Sequence, residues 1–355
     1  MSTKIVHVVG TGTIGEPLIG LLCDFKEDLG IDEVTFHKNT PLTTDRSKVK
    51  SLINRGAILT TNNDKYDSFN DIGLKPGFCT ETAIDRASVI IDCTPRGVGH
   101  ENKNLYYKKY LHNTQGFIAQ GSESGFGKMY ARGINDAALK CDEDKFIQVV
   151  SCNTHNLSTL VNNIALCDGE DNLIEGRFIL IRRSNDVSQS TKFVPSPQVG
   201  KHQDKIYGTH HARDAVPLFK TIDLDLNLFS SAMIVNSQYM HILHFYLKIK
   251  KSTTIKNIIA KLDSVDLIAT TNKMNANEVF SFGRDHGHFG RILNQTVVSI
   301  PSLNVKNETE ITGFCFTPQD GNSILSSIAI TEWFLYPHSY QDKIQCLSPF
   351  LFDEV

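Results

Sequence analysis

The 355-residue chain contains no uninterrupted apolar run approaching the ~18 residues that a membrane-crossing helix needs. It lacks a charge excess as well. Its 36 Lys and Arg face 39 Asp and Glu, a formal charge of −3 with histidine neutral. Near-neutrality excludes a basic body built to neutralise many phosphates of a nucleic acid. The opening MSTKIVHVVG has neither the longer apolar region nor the cleavage site of a signal peptide. Eight cysteines stand at 23, 79, 93, 141, 152, 167, 315 and 346 with no CxxC pair, so structural zinc and thioredoxin-like redox chemistry go unsupported. No internal repeat or low-complexity tract appears. What is present is 40% hydrophobic residues, enough for ordinary cores. The expectation is a cytoplasmic protein with no membrane or nucleic-acid partner, in two domains at about 150 residues each.

The order of elements suggests what those domains are. Residues 4–9 form a short β-branched run, the mark of a buried strand. Further strands are expected at Glu33–His37, 57–61, 87–94, 115–120 and 145–151. Helical stretches follow the first of these and occupy 43–56, while 62–82 reads as a polar loop. Alternation of this kind predicts a parallel, doubly wound sheet. After residue 150 the texture changes. A helix over 153–166 is followed by alternating runs at 177–183, 220–235, 239–250 and 311–316, which predict a mainly antiparallel sheet with one covered face. Helices are expected at 254–262 and 323–334. The predicted fold is α/β, a Rossmann-type dinucleotide-binding domain over 1–151 plus an α+β catalytic domain over 152–320. The C-terminal segment from about 321 to 355 is expected to pack back on the first domain.

Gly10-x-Gly12-x-x-Gly15 follows the first strand and opens a helix. In that context the glycines allow a tight turn, backbone approach to a pyrophosphate and close helix–strand packing, and the helix start binds the anion. The second strand ends in His37-Lys38-Asn39-Thr40, without the acid that usually binds the ribose 2′-hydroxyl of NAD. Lys38 in its place suits the 2′-phosphate of NADP. The expectation is NADP or dual NADP/NAD use.

One cysteine differs from the others. Val149-Val150-Ser151-Cys152-Asn153-Thr154 puts Cys152 where a buried strand turns into a helix, a position that is expected to lower a thiol pKa from about 8.5. A nucleophilic cysteine also needs a base. Candidates are His210 and His211 in a loop, His241 on a strand, and His286 and His288 in a glycine-rich segment. Cysteine plus nicotinamide suggests aldehyde oxidation through a thioester, with His241 as the group that takes the hydroxyl proton. A metal site from His210, His211 and Asp214 has no further convergent ligands, so no metal is expected.

At these residues the chain resembles the archaeal-type (class II) glyceraldehyde-3-phosphate dehydrogenases. The resemblance rests on Val9–Gly15, His37–Pro41, Asp92-Cys93-Thr94-Pro95-Arg96-Gly97-Val98-Gly99, Gln120-Gly121-Ser122-Glu123, Ser151–Thr154, Arg182-Arg183, Thr209–Asp214, Met240-His241 and Gln319. It implies Cys152 as nucleophile and His241 as catalytic histidine. It further implies that Thr13, Ile14, Ser122, Arg183 and Gln319 contact NAD(P), and that Ser151, Asn153, His210 and His211 contact triose phosphate. Inorganic phosphate as co-substrate and a homotetramer follow from the same resemblance.

Some positions depart from the family pattern. Ser122 replaces a glycine, His155-Asn156 replace Thr-Gly, and Ala212-Arg213 replace Gly-Pro. His155 in the first helical turn suggests a phosphate contact if protonated. Other readings stay open: an acyl-cysteine dehydrogenase of the aspartate-semialdehyde or N-acetylglutamyl-phosphate type, or a nucleotide-binding protein with reduced catalysis.

Overall fold

The structure is a computed structural model and describes residues 3–121, 123–141, 143–187, 189–191, 193–318 and 320–355. The chain forms two compact units. One comprises Met1–Lys128, Leu139–Val149 and Ser326–Ser348, the other Met129–Ala138, Val150–Leu325 and Pro349–Val355. No helix among the described residues is long and apolar enough to cross a membrane.

The first sheet comprises β1 (Ile5–Val9), β2 (Glu33–His37), β3 (Ile58–Thr61), β4 (Phe78–Cys79), β5 (Val89–Asp92), β6 (Gly116–Ala119), β7 (Lys128–Tyr130) and β8 (Phe146–Val149); all but β7 lie wholly in the first unit, and Met129 and Tyr130 of β7 are counted with the second. Their order is β4-β3-β2-β1-β5-β6-β8-β7. Neighbours from β4 to β8 run parallel. All five residues of β1 are buried, as expected of a strand covered on both faces. Strand order reverses at β1, which pairs with both β2 and β5. In such sheets the ligand crevice lies outside the carboxyl ends of the strands at this reversal. The loops after β1 and β5, both glycine-bearing, meet there.

The second unit carries β9 (Leu173–Arg182), β10 (Gln198–Val199), β11 (Leu228–Ile234), β12 (His241–Ile249), β13 (Ile268–Thr271), β14 (Thr296–Ser299), β15 (Asn304–Lys306) and β16 (Glu310–Thr317). The sheet order is β10-β11-β9-β12-β16-β14-β13, with β15 on β16. Two pairings, β9–β11 and β13–β14, are parallel and the others antiparallel. Along β12, Leu243, Phe245, Leu247 and Ile249 are buried on alternate positions. They pack with Phe178 and Leu180 of β9 and with Leu157, Leu160, Ala212, Val216 and Phe219 from two helices. Each such large side chain contributes about 1.5–3 kcal/mol by leaving water, and together they make the rigid floor under the site.

Three segments differ from the sequence expectation. Residues 62–82 are not one loop: they hold the helix Tyr66–Asp71, β4 and the start of the helix Thr80–Arg86. The short helix buries a single large residue, Phe69, which leaves no periodic signal. The alternation over 220–235 is a strand only from Leu228, because the helix runs to Lys220 and Asp223 takes a left-handed turn at φ 63°. His210 and His211 open that helix, His210–Lys220, rather than lying in a loop.

Candidate active site

The glycine loop of the first unit has the geometry a dinucleotide needs. Gly10 sits at φ +101°, and a Cβ there would meet the carbonyl oxygen of Cys93 at 3.0 Å. A Cβ on Gly15 would lie 2.1 Å from the carbonyl oxygen of Gly10, so loop and helix touch backbone to backbone. At Gly12 a Cβ would meet no atom of the described residues within 4 Å. That open space beside the start of the helix Gly15–Asp24, with Thr13 and Ile14 between, is a cradle fitted to a pyrophosphate. Opposite, Asp92 anchors the second loop. It accepts from the Thr94 amide at 3.0 Å, the Thr94 hydroxyl, Asn102 Nδ2 at 2.9 Å and Tyr107 Oη at 2.6 Å. Glu123 accepts from the amides of Gly97 at 2.5 Å and His100 at 3.0 Å. Its place in the motif is thereby explained as a cap on the helix Val98–Leu105.

Lys38 is buried and ion-paired to Asp45 at 2.6 Å. A second cation, Lys48, joins Asp45 at 3.3 Å and donates to the carbonyl oxygen of Thr11 at 3.3 Å. From sequence Lys48 is one more helix lysine; only folding brings it to the glycine loop. Burial opposes ionisation of Asp45, but the two lysines outweigh it and hold the carboxyl below its ordinary value.

In the second unit Cys152 is the first residue of the helix Cys152–Leu160. Ser151 caps that helix, its Oγ accepting from the Thr154 amide at 3.3 Å. Asn153 Oδ1 accepts from the Thr317 hydroxyl at 3.0 Å, and Asn156 Nδ2 donates to the same hydroxyl at 2.8 Å. Asn322 donates to the carbonyl oxygens of Cys152 at 2.9 Å and Gln295 at 3.1 Å. These bonds lock the helix that Cys152 opens against the end of β16. The thiol pKa runs opposite to the sequence expectation. Burial pushes Cys152 up to about 12 and Asp320 adds to it, against the pull of Arg183, Arg182 and the Asn153 amide. A helix start alone does not offset desolvation of this size.

Thr317 lies directly across from His241 in the β12–β16 register. His241 therefore sits one strand from the residues that hold Cys152. Its Nδ1 accepts from the backbone N–H of Arg183 at 3.0 Å. Burial, then the charges of Arg183 and Arg182, hold its pKa well below the ordinary value, so the ring is neutral. His211 is buried, neither ring nitrogen has a hydrogen-bond partner among the described residues, and its ring lies 3.8 Å from that of His210. Burial, with His210, Arg182, His241 and Arg213 around it, lowers its pKa too. Being in a helical turn rather than on extended backbone, the two histidine rings face one another instead of pointing apart.

The paired arginines separate in role. The guanidinium of Arg183 is committed to Asp186 at 2.5 Å and Asp320 at 3.3 Å. Arg182 makes no ion pair among the described residues and its buried Nε has no hydrogen-bond partner, although its charge reaches Cys152, His211 and His241 alike. Asp320, which nothing in the sequence singled out, holds a left-handed φ of 61° beside the site, the kind of strain that clusters where function needs it. His155 is fully buried, its Nδ1 bonded to the Ser151 carbonyl oxygen at 3.1 Å, and burial lowers its pKa to about 4. It is therefore neutral and turned inward, not a protonated phosphate ligand. The ring of His286 lies tilted against Phe282, and that of His288 lies tilted against Phe289 and edge-on to Phe350. Ser122 and Gln319 lie outside the described residues. Among the described residues no group of three or more His, Cys, Asp or Glu is placed to hold a metal.

No family model matches the chain. Among curated proteins it is 27% identical over 251 residues to a glyceraldehyde-3-phosphate dehydrogenase of Pyrobaculum islandicum, covering 68% of this chain and 66% of that one. It is 28% identical over 272 residues to one of Methanobacterium formicicum (73% and 72%) and 25% identical over 318 residues to one of Hyperthermus butylicus (86% and 84%). The chain thus aligns with just under two thirds of the Pyrobaculum relative's length. The resemblance seen in scattered motifs extends across most of the chain.

Proposed function

We propose that the chain is a phosphorylating glyceraldehyde-3-phosphate dehydrogenase. The observation that carries this reading is that within one unit the charge of Arg182 acts on Cys152, His211 and His241 together, while Arg182 Nε and both ring nitrogens of His211 are buried without hydrogen-bond partners among the described residues. Buried polar groups left without partners cost about 1–3 kcal/mol each, and an anionic substrate removes that cost. The dinucleotide, held by Gly10, Gly12, Thr13, Ile14 and Gly15 with Lys38 at its ribose end, supplies the hydride acceptor. NADP is favoured and NAD accommodated. By resemblance Arg183, Ser122 and Gln319 serve the cofactor.

Cys152 adds to the aldehyde carbon to give a thiohemiacetal, and loss of hydride leaves a thioester. Inorganic phosphate displaces the sulfur to give the acyl phosphate. His210, His211, Ser151 and Asn153 bind the substrate by resemblance. Ser151 and Asn153 also make the bonds described above, so any hold on substrate is through their remaining atoms. The test is nicotinamide reduction by glyceraldehyde 3-phosphate with and without inorganic phosphate, using both nucleotides. Phosphate-dependent turnover is expected. Reduction by aspartate semialdehyde in preference to the triose phosphate would favour the rival reading.

A further inference from the structure

We propose that Asp45 sets which nicotinamide nucleotide the chain takes. Its carboxylate is the counter-ion that a 2′-phosphate has to displace from Lys38, and it accepts the ribose 2′-hydroxyl when that phosphate is absent. The inference rests on the dinucleotide half of the dehydrogenase reading and adds to it a residue that opposes NADP.

The second strand ends without an acid, and folding brings one in from further along the chain. Lys38 directly follows β2, and Asp45 closes the short helical turn Thr43–Asp45. Asp45 Oδ2 pairs with Lys38 Nζ at 2.6 Å, and Oδ1 with Lys48 Nζ at 3.3 Å. Lys48 belongs to the helix Arg46–Asn54 and also donates to the Thr11 carbonyl oxygen at 3.3 Å, which ties the cluster to the glycine loop. In dinucleotide folds this is the place where an acid beyond the second strand binds the ribose 2′-hydroxyl. Glu16 Oε2, 3.9 Å from Lys48 Nζ, is the second carboxylate of the cluster. Other basic groups at this end are engaged elsewhere. His37 Nδ1 bonds with the Thr80 hydroxyl at 3.1 Å, and burial lowers its pKa to about 4, so the ring is neutral. Arg46 Nε donates to the Ile72 carbonyl oxygen at 2.6 Å.

Two lysines against two carboxylates leave the cluster balanced. A neutral ribose hydroxyl joins it without disturbing that balance. A 2′-phosphate brings a charge of about −2, and beside an intact Lys38–Asp45 pair it meets a carboxylate that repels it. The two partners differ in freedom. The Lys38 side chain is 9% exposed and the Asp45 side chain 25%. A buried ammonium needs a counter-ion, so the lysine stays while the more exposed carboxylate turns toward water. Binding of NADP is thus an exchange of one anion for another at Lys38, and NAD keeps the pair and gains an acceptor. That arrangement lets one site take both nucleotides, with Lys38 favouring the phosphate and Asp45 restraining it.

The test is calorimetric titration of the whole chain with NAD and NADP. It is repeated with adenosine 5′-monophosphate and adenosine 2′,5′-bisphosphate, which differ only in the 2′-phosphate. Wild type is compared with Asp45→Asn, Asp45→Ala and Asp45→Glu, and with Asp24→Asn as a control that removes a carboxylate paired to Arg55 elsewhere in the same unit. The preference for the 2′-phosphorylated ligand should rise about tenfold in D45N and D45A, for the fragments and the full nucleotides alike. D45E and D24N should keep the wild-type preference. An unchanged or lowered preference in D45N and D45A, with melting like wild type, would overturn the proposal. So would an equal rise in D24N, which would make the effect one of net charge, or in D45E, which would make it one of packing. If wild type binds neither nucleotide, the dinucleotide reading fails and the proposal with it. If it binds both but reduces neither with triose phosphate, the dehydrogenase reading fails while the affinity ratios still decide the role of Asp45.

Discussion

Cys152 illustrates how a residue's sequence setting and its folded setting can pull in opposite directions. Its place at a helix start led to the expectation of an acidic thiol, and packing makes it a basic one, near 12. Only thiolate is alkylated, so iodoacetamide labelling of Cys152 in the free protein is expected to keep rising about tenfold per pH unit from 7 to 10. An ordinary cysteine would level off near 8.5. Peptide mapping separates it from the exposed Cys141 and Cys167. A plateau below pH 8 would show that the cations around Cys152 win over desolvation. At the other site, Lys38→Ala should weaken NADP binding about tenfold, ~1.4 kcal/mol, and leave NAD nearly unchanged in a fluorescence titration. Equal affinities before and after would remove Lys38 from cofactor recognition. Cys152 and His241 stand out in the sequence as candidates because strand, turn and motif coincide around them. Asp320, Lys48 and Thr317 do not, since each acquires its meaning only from a neighbour far away in sequence.

At the scale of elements, the glycine loop was read correctly as strand, turn and helix, and the structure adds a difference between its glycines. Gly12 faces open space while Gly15 is pressed on the Gly10 carbonyl. Gly12→Val is therefore expected to abolish dinucleotide binding with the melting temperature kept within a few degrees. Gly15→Ala should destabilise the first unit by more than about 2 kcal/mol. Both are read by thermal melting with and without nucleotide, and tolerance of Gly15→Ala would mean the loop is slacker than described. Where elements were missed, the cause is local. Tyr66–Asp71 buries too little to show a period, and Asp223 interrupts an alternation that otherwise reads as strand. His210 and His211 are carried by a helix whose cap is a distant serine: Ser230 Oγ accepts from the Ala212 amide at 3.1 Å. Thr209 occupies the N-cap position, the one local signal of that start, but its side chain makes no cap bond.

Across the whole molecule, alternating strands and helices followed by long alternating runs were enough to foresee an α/β sheet and a mainly antiparallel one. The folded chain also buries a group with no evident role in the chemistry. Glu332 is fully buried, neither carboxylate oxygen has a hydrogen-bond partner among the described residues, and burial pushes its pKa up to about 8 against the pull of Lys343. A carboxyl whose folded pKa lies above its unfolded value of about 4.3 binds its proton more tightly when folded. Its contribution is therefore fully present below pH 4 and lost as pH rises toward 8. Denaturant unfolding should show stability falling over that window by about 2–4 kcal/mol, and Glu332→Gln should flatten it. A variant with the unchanged slope would place the titration elsewhere.

The central claim is that Cys152 carries an acyl group between two half-reactions. The most direct measurement mixes the protein with NADP and glyceraldehyde 3-phosphate in the absence of inorganic phosphate, and follows nicotinamide reduction together with intact mass. A burst of one reduced nicotinamide per chain is predicted, with an acyl adduct that maps to Cys152, disappears on adding phosphate and never forms in Cys152→Ala. A steady phosphate-independent rate, or a burst that survives in Cys152→Ala, would contradict the account.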